Sequence, residues 1–320
     1  MITPANSIAA LLTLIPLLWA AFFGQRVAGR AHALPAWAQV LFPAALSVPY
    51  VLVSCAAGTF RWGWFALYAV LPVAVASLLW QAGRAGPGGS PQRPGPVSAT
   101  PGSEVRFPGT PAAGDPGQRG NWRDFLVLAA LGLAVDLRWF EGAWPVHLAI
   151  FNKMLLLDAG IYGFIVVRQL DGTGFDLRLR LRDAAIGLRE LAWYTPIALA
   201  LGLGLGFLHL HRAWPGLAPV AGAWIFTFFF IAVPEELFFR GWLQNLLERR
   251  MGRTPALLVT AALFGLSHFN KRALHFNWRY VLLAAVAGVF YGRAWRQERR
   301  VGAAAITHAS VDAIWSLWLR

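Results

Sequence analysis

Residues 217–247 read LAPVAGAWIFTFFFIAVPEELFFRGWLQNLL, and this stretch decides the fold class of the chain. It is apolar over more than the ~20 residues that a helix needs to cross a bilayer, yet it carries Glu235, Glu236 and Arg240. An ionisable side chain inside a spanning helix costs ~2.5–3.5 kcal/mol on insertion scales, so it needs a partner or a function. The stretch therefore predicts a membrane helix that carries chemistry.

Other apolar segments flank this stretch. The chain has 320 residues, of which 57% are hydrophobic and 13% charged, whereas a typical soluble domain is ~45–50% apolar and ~25% charged. This composition argues against a water-soluble enzyme. It predicts an all-α fold, a polytopic transmembrane helix bundle of about 8–10 spanning helices. The further apolar segments lie at about 7–25, 37–57, 63–81, 124–137, 145–167, 190–209, 255–269, 279–295 and 302–319.

The charge of the chain is strongly positive, with 28 basic and 15 acidic residues, and every basic residue except Lys153 and Lys271 is Arg. Because the cations lie mainly between apolar segments, we interpret them as the excess typical of cytoplasmic loops. We expect anionic lipid headgroups as partners and no nucleic acid. If the chain starts outside, only the loop 270–279 departs from this rule. The loops placed inside are Arg26 with Arg30, 82–123, 168–189, 248–253 and 296–300.

A segment rich in Gly and Pro divides the chain. Residues 81–120 contain 8 Pro and 10 Gly, and such a segment cannot bury enough apolar surface to offset its ordering entropy. We therefore predict an N-terminal three-helix membrane module at 1–82, a disordered linker at 83–122 and a membrane domain at 123–320. Between residues 177 and 188, apolar residues at helical spacing with Arg on another face predict a helix in the membrane interface.

The paired acids of the 217–247 stretch differ in their surroundings. Glu236 and Arg240 are four residues apart, on one face of a helix, and can form a buried pair. Glu235 is rotated by ~100° from that face, so no local cation neutralises it. Pro234 has no N–H and predicts a kink beside it. We therefore assign a packing role to Glu236 and Arg240, and a functional role to Glu235.

Two further polar motifs fall at a similar predicted depth. His268 ends the run Phe264-Gly-Leu-Ser-His268, and His308 and Asp312 lie four residues apart on one helical face. That spacing lets the carboxylate orient the imidazole, or lets both face a common water or metal ion. At ~1.5 Å per residue, these groups and Glu235 fall within about one half of the membrane, which permits a shared polar cavity.

Such a cavity suits hydrolysis by activated water. A carboxylate in an apolar site can act as a general base on water, and two imidazoles can hold the water, stabilise an oxyanion or bind a metal ion. A proton-coupled membrane transporter would use the same Glu, His and Asp cluster as a relay. A non-catalytic scaffold, in which the Glu236–Arg240 pair only fixes packing, is the third alternative.

Three motifs, in this order along the chain, resemble a known peptidase family. They resemble those of the CAAX-processing and bacteriocin-processing (CPBP, or ABI) intramembrane endopeptidases, which are related to the type II CAAX prenyl proteases. The resemblance covers residues 215–319 and extends more loosely back to about residue 125. The motifs are Glu235-Glu236-x-x-x-Arg240, Phe264-x-x-x-His268 and His308-x-x-x-Asp312, accompanied by Pro-Glu-Glu-Leu-Phe-Phe-Arg-Gly at 234–241 and by Gly288-x-x-Tyr291-Gly292.

The resemblance implies a membrane-embedded protease whose site lies at membrane depth. Glu235 would activate the water and His268 would help to hold it. His308 and Asp312 would supply polar contacts around an oxyanion or a metal ion. Many members have Asn in place of Asp312, and an ionised Asp cannot donate the hydrogen bond that an Asn can. Asp is the better metal ligand of the two.

The resemblance leaves cofactor and substrate open. The cofactor is either none or a divalent metal such as zinc, with Glu235, His268 and His308 as candidate ligands. The substrate is a membrane protein or a lipidated peptide, cut at a CAAX-like sequence, a leader peptide or a C-terminal sorting anchor. The implied location is the cell membrane, as a multi-pass protein of a bacterial inner membrane.

Overall fold

The computed structural model describes residues 4–84, 118–144, 148–211, 214–271 and 275–319, and these ranges contain helices and no strands. The all-α fold predicted from the apolar composition is therefore confirmed. Helices suit such a sequence because they satisfy the backbone polar groups without water. The helices are α1 (Pro4–His32), α2 (Ala36–Leu41), α3 (Val48–Ala56), α4 (Trp62–Arg84), α5 (Trp122–Asp136), α6 (Ala149–Ile161), α7 (Leu181–Gly204), α8 (Leu217–Thr227), α9 (Val233–Glu236), α10 (Asn245–Met251), α11 (Arg253–Leu266), α12 (Trp278–Glu298) and α13 (Val301–Trp318).

Five helical segments of the described ranges are long and apolar enough to cross a membrane, which makes the chain a multi-pass membrane protein by length and composition. The predicted segments at 190–209, 279–295 and 302–319 are also helical, within α7, α12 and α13. These three helices are not among the five apolar segments, since they carry ionisable residues. The five segments are Asn6–Gly24, Ala36–Ala56, Trp62–Arg84, Ile150–Val167 and Leu217–Met251.

The chain divides into two compact units. The first consists of Met1–Leu131 with Asp158–Gly172, and the second of Gly132–Leu157 with Thr173–Arg320. The first unit contains a buried ion pair, in which Nε of Arg168 lies 3.1 Å from Oδ1 of Asp124. The predicted module and linker boundaries at 82 and 122 stay predictions, because residues 85–117 lie outside the described ranges.

Small residues bring the helices of the second unit close together. A Cβ atom at Gly265 of α11 would lie 2.5 Å from the carbonyl oxygen of Val281 in α12, and one at Gly187 of α7 would lie 2.8 Å from Cγ2 of Ile306 in α13. Small side chains of this kind let membrane helices approach at backbone distance. The close approach brings α7, α11, α12 and α13 together around the polar residues that they carry.

Pro234 lies in a helix that continues from Leu217 to Met251 rather than breaking. Widened π-helical turns precede and follow it, at Phe228–Ala232 and Leu237–Gln244. The kink predicted at Pro234 stays a prediction, whereas the helix itself continues through two wide turns. Such turns accommodate a lost i→i−4 hydrogen bond without ending the helix, and they are frequent at functional sites.

The segment 177–188, predicted as a helix in the membrane interface, is helical from Leu181 onward, and its position relative to a membrane stays a prediction. Helix α7 begins at Leu181 and continues to Gly204. Asp183 and Glu190 are completely buried, and Arg300 and Arg293 pair with them at 2.7 and 3.0 Å. These pairs tie the start of α7 to α12 and to the start of α13.

Candidate active site

Glu236 lies at the centre of a buried polar cluster. Its side chain is fully buried, and its Oε1 atom accepts hydrogen bonds from Nη1 of Arg240 at 2.9 Å and from Nδ1 of His308 at 2.8 Å. Arg240 is also fully buried and donates a second hydrogen bond, through Nη2, to the carbonyl oxygen of Gly288 at 2.9 Å. The Glu236–Arg240 pair predicted from the i, i+4 spacing is therefore confirmed.

His308 is held by ring contacts as well as by Glu236. Its imidazole stacks on Tyr291, with centroids 4.6 Å apart and an angle of 13°, and meets the edge of Phe264 at 5.6 Å. Since Nδ1 bonds to Glu236, Nε2 is the nitrogen that lies 3.9 Å from Oε2 of Glu235 and 3.6 Å from Oδ2 of Asp312. The carboxylate bonded to Nδ1 is thus that of Glu236, and Asp312 lies on the Nε2 side.

Glu235 points away from the Glu236–Arg240 pair, as its rotation along the helix predicts. Its side chain is 28% exposed, and Oε2 is a buried atom without a hydrogen-bond partner among the described residues. Oε1 lies 4.0 Å from Nζ of Lys271. Sequence reasoning missed Lys271, although the rarity of Lys in this Arg-rich chain was a signal. Glu235 therefore has a cation beside it and one oxygen available for a ligand.

His268 follows the C-terminal end of α11. Its Nδ1 atom lies 2.9 Å from the carbonyl oxygen of Phe264 and 3.2 Å from Oγ of Ser267. A carbonyl oxygen only accepts, so Nδ1 carries the proton and Nε2 is left as the acceptor. The ring also packs against Phe264 at 5.0 Å and Tyr280 at 4.8 Å. The two imidazoles therefore contact the same phenylalanine ring.

A cavity of about 90 Å³ adjoins these groups within the C-terminal unit. His268, His308 and Asp312 form its polar side, whereas the rest of its lining is mainly apolar and aromatic. This volume is several times the ~10–15 Å³ that one water molecule needs, so the cavity can hold several waters or a small apolar group. The cavity gives the site room for both a water molecule and an apolar part of a ligand.

The described side chains do not fit a metal ion in their present arrangement. They contain no group of three or more His, Cys, Asp or Glu residues placed to hold one. Lys271, beside Glu235, adds a positive charge where a metal would bind. Glu235, His268 and His308, the three candidate ligands, therefore do not form a metal site here, and we derive no reaction step through a metal.

Residues 217–314 match the family model described as "Type II CAAX prenyl endopeptidase Rce1-like". No curated protein and no solved structure matches the chain. The matched segment runs from the start of α8 into α13 and contains Glu235, His268, His308 and Asp312. The match implies protease activity and does not favour the transporter alternative. It confirms the resemblance of the C-terminal segment to the CAAX-processing peptidases: residues 217–314 are similar to the Rce1-like type II CAAX prenyl endopeptidases.

Proposed function

We propose that the protein is a glutamate-dependent intramembrane endopeptidase, which hydrolyses a peptide bond of a membrane-associated substrate with water activated by Glu235. The single observation that carries this proposal is the approach of Oε2 of Glu235 to Nε2 of His308, which lie 3.9 Å apart. A water molecule about 2.8 Å from each atom would bridge them and donate one proton to Oε2.

In this mechanism Glu235 takes a proton from the water as the water oxygen attacks the scissile carbonyl carbon. His268, with Nε2 as an acceptor, helps to hold the water. The carbonyl oxygen becomes an oxyanion, and the ammonium group of Lys271 is the cationic donor that stabilises it. Glu235 then returns the proton to the leaving amine, and the peptide bond breaks.

Two further carboxylates, those of Glu236 and Asp312, support the reaction in different ways. Glu236 accepts from Nδ1 of His308, so it fixes the orientation of the ring and directs Nε2 towards Glu235 and Asp312. Asp312, 3.6 Å from the same Nε2, contributes a further polar contact to the water or to the peptide. Arg240 compensates the buried charge of Glu236.

The substrate class follows from the surroundings of the site. The adjoining cavity has a mainly apolar lining, so it suits an apolar side chain or a lipid chain next to the scissile bond. We propose a CAAX-like sequence, a leader peptide or a C-terminal sorting anchor, cut in a bacterial inner membrane. The exposed side chains of Arg182 and Arg189 suit contact with anionic lipid headgroups.

The test is a comparison of membrane-protein termini by mass spectrometry among the wild type and two matched variants. Glu235→Gln keeps the shape of the side chain but removes the base, so we expect its cleavage products to disappear. Glu141→Gln removes an acid from an exposed pair with Arg138, and we expect the wild-type set of termini. Unchanged termini in the Glu235→Gln variant would overturn the proposal.

A further inference from the structure

The helices of the C-terminal unit gather Arg-rich ends at one face. Arg182, at the start of α7, lies 2.7 Å from Glu298, at the end of α12. Arg300, just before α13, lies 2.7 Å from Asp183 of α7. Glu248 of α10 joins the same ends, because it pairs at 2.6 Å each with Arg296 of α12 and with Arg299, which follows α12. We call this the Arg face, and it comprises Arg182, Arg189, Arg253, Arg293, Arg296, Arg299 and Arg300.

The site is closed on the side of the Arg face. Five residues are no more than 1% exposed and lie, along their helices, between the residues of the site and the ends that carry the Arg face: Trp242, Tyr291, Trp295, Ala304 and Ala305. We call these five residues the buried layer. Side chains packed to this degree leave no room for a peptide or for a chain of waters. A substrate therefore cannot reach Glu235 from the Arg face without unpacking the helices.

The opposite side of the site is partly open. The side chains of Glu235, Asp312 and Lys271 are 28%, 31% and 33% exposed. Lys271 follows α11, whose axis starts at Arg253 on the Arg face and rises by ~20 Å before the helix ends. We call Glu235, Lys271 and Asp312 the site opening. The exposed polar groups of the site opening and the Arg face thus lie on opposite sides of the buried layer.

We propose that the site takes its substrate from the membrane face opposite to the Arg face, and that this opposite face is the non-cytoplasmic one. The orientation follows from the excess of Arg and Lys that cytoplasmic loops carry. Lys271 at the site opening and Arg279 at the start of α12 do not reverse that bias, because the rule counts cations and the seven Arg residues of the Arg face outnumber these two. The scissile bond then belongs to the non-cytoplasmic end of a membrane anchor.

The inference rests on the proposed function for the chemistry of the substrate, but not for the position of the opening. Single cysteines test the position. The background is Cys55→Ser, because Cys55 is exposed and is the only cysteine of the chain. Into it we place Asp312→Cys and Lys271→Cys at the site opening, and Arg253→Cys on the Arg face. A charged, membrane-impermeant thiol reagent is then added to right-side-out and to inverted membrane vesicles.

We expect Asp312→Cys and Lys271→Cys to react in right-side-out vesicles, and Arg253→Cys to react in inverted vesicles. Labelling of the cysteines at the site opening and on the Arg face in the same type of vesicle would overturn the proposal. The proposal would also be overturned if the cysteines at the site opening reacted in neither vesicle type but did react in detergent, because the site would then open to lipid. Lys271→Cys lies outside the packed helices, so it reports on the opening even if Asp312→Cys does not fold.

The termini lost in Glu235→Gln provide the second measurement. We expect each of them to map to the non-cytoplasmic flank of a membrane segment, and termini on the cytoplasmic flank would contradict the inference. A complete lack of termini that depend on Glu235 would count against the proposed function instead. The labelling pattern would still decide where the site opens, so the two failures are distinguishable.

Discussion

Nδ1 of His308 donates a hydrogen bond to Oε1 of Glu236 across 2.8 Å, and this bond joins α13 to the helix that contains α9. The same oxygen accepts from Arg240, so one carboxylate fixes both a buried cation and an imidazole. Partners of this kind set the tautomer and the orientation of a histidine ring. Glu236 is therefore a positioning residue as well as a packing residue.

Glu236→Gln should reduce both stability and activity. The amide still accepts from His308 but leaves the charge of Arg240 buried and uncompensated, which costs about 3–5 kcal/mol for a broken buried pair. Loss of the orienting charge should lower the cleavage rate by about 10–100-fold. Thermal unfolding in detergent and initial rates measure the two effects.

The matched control for that variant is Glu298→Gln, which breaks the more exposed pair with Arg182. We expect it to cost less than about 1 kcal/mol. Equal losses of stability in the two variants would contradict the central role of Glu236.

His308→Asn should separate folding from catalysis. The Asn amide can reproduce the donor at Nδ1 and keep the bond to Glu236, but it has no atom at the position of Nε2. We expect a folded protein whose cleavage rate is about 10²–10⁴-fold lower, as for the loss of a group that assists proton transfer. Ser316→Ala, a change at a partly exposed hydroxyl of the same helix, should leave the rate unchanged. A fully active Asn variant would remove Nε2 from the mechanism.

Lys271→Met should lower kcat and leave KM nearly unchanged, because an oxyanion donor acts in the transition state rather than on bound substrate. Removal of one such donor typically costs about 10²–10³-fold in kcat. Lys271→Arg should restore part of the rate, since it restores the charge. Lys153→Met, at the only other lysine of the chain, is the control, and an equal loss there would point to a general effect of charge.

Gly265→Ala should disturb the site through packing alone. The new methyl group would lie 2.5 Å from the carbonyl oxygen of Val281 and 2.7 Å from Cβ of Ala285, so α11 and α12 must move apart. Overpacking of this kind costs about 1–3 kcal/mol. Gly222→Ala has no atom within 4 Å of its added carbon and should leave stability unchanged. The melting temperatures of the two variants decide the comparison.

Removal of divalent metals should leave the cleavage rate unchanged. The described His, Cys, Asp and Glu residues form no three-ligand group, and the proposed water is activated by Glu235 directly. The measurement is the initial rate of the purified protein before and after prolonged treatment with EDTA, with a zinc-dependent protease as the positive control. Loss of activity that added zinc restores would mean that the ligands rearrange around a metal.

Local sequence patterns predicted those features that depend on neighbours along one helix. The apolar segments gave the all-α fold, and the spacing of Glu236 and Arg240 gave their ion pair. The bond between Glu236 and His308 was beyond such reasoning, because 72 residues separate them and only the packing of two helices brings them together. Lys271 was missed for the same reason, since it reaches Glu235 from a different segment.

Two features of these segments go beyond the local patterns. The segment at 177–188 has an amphipathic pattern, and Asp183 and Glu190 also pair with Arg300 and Arg293, from distant parts of the chain. Pro234 removes one backbone donor, and wide turns lie on either side of it. Neither the ion pairs nor the wide turns are visible in the residues of the segment itself.

The buried layer of Trp242, Tyr291, Trp295 and two alanines has a consequence for the cell that carries this protein. The proposed hydrolysis needs water at membrane depth, and a continuous file of water through the bilayer would let protons leak and discharge the electrical potential. Aromatic packing on one side of Glu235 would interrupt any such file. The proposed reaction would then leave the membrane an insulator.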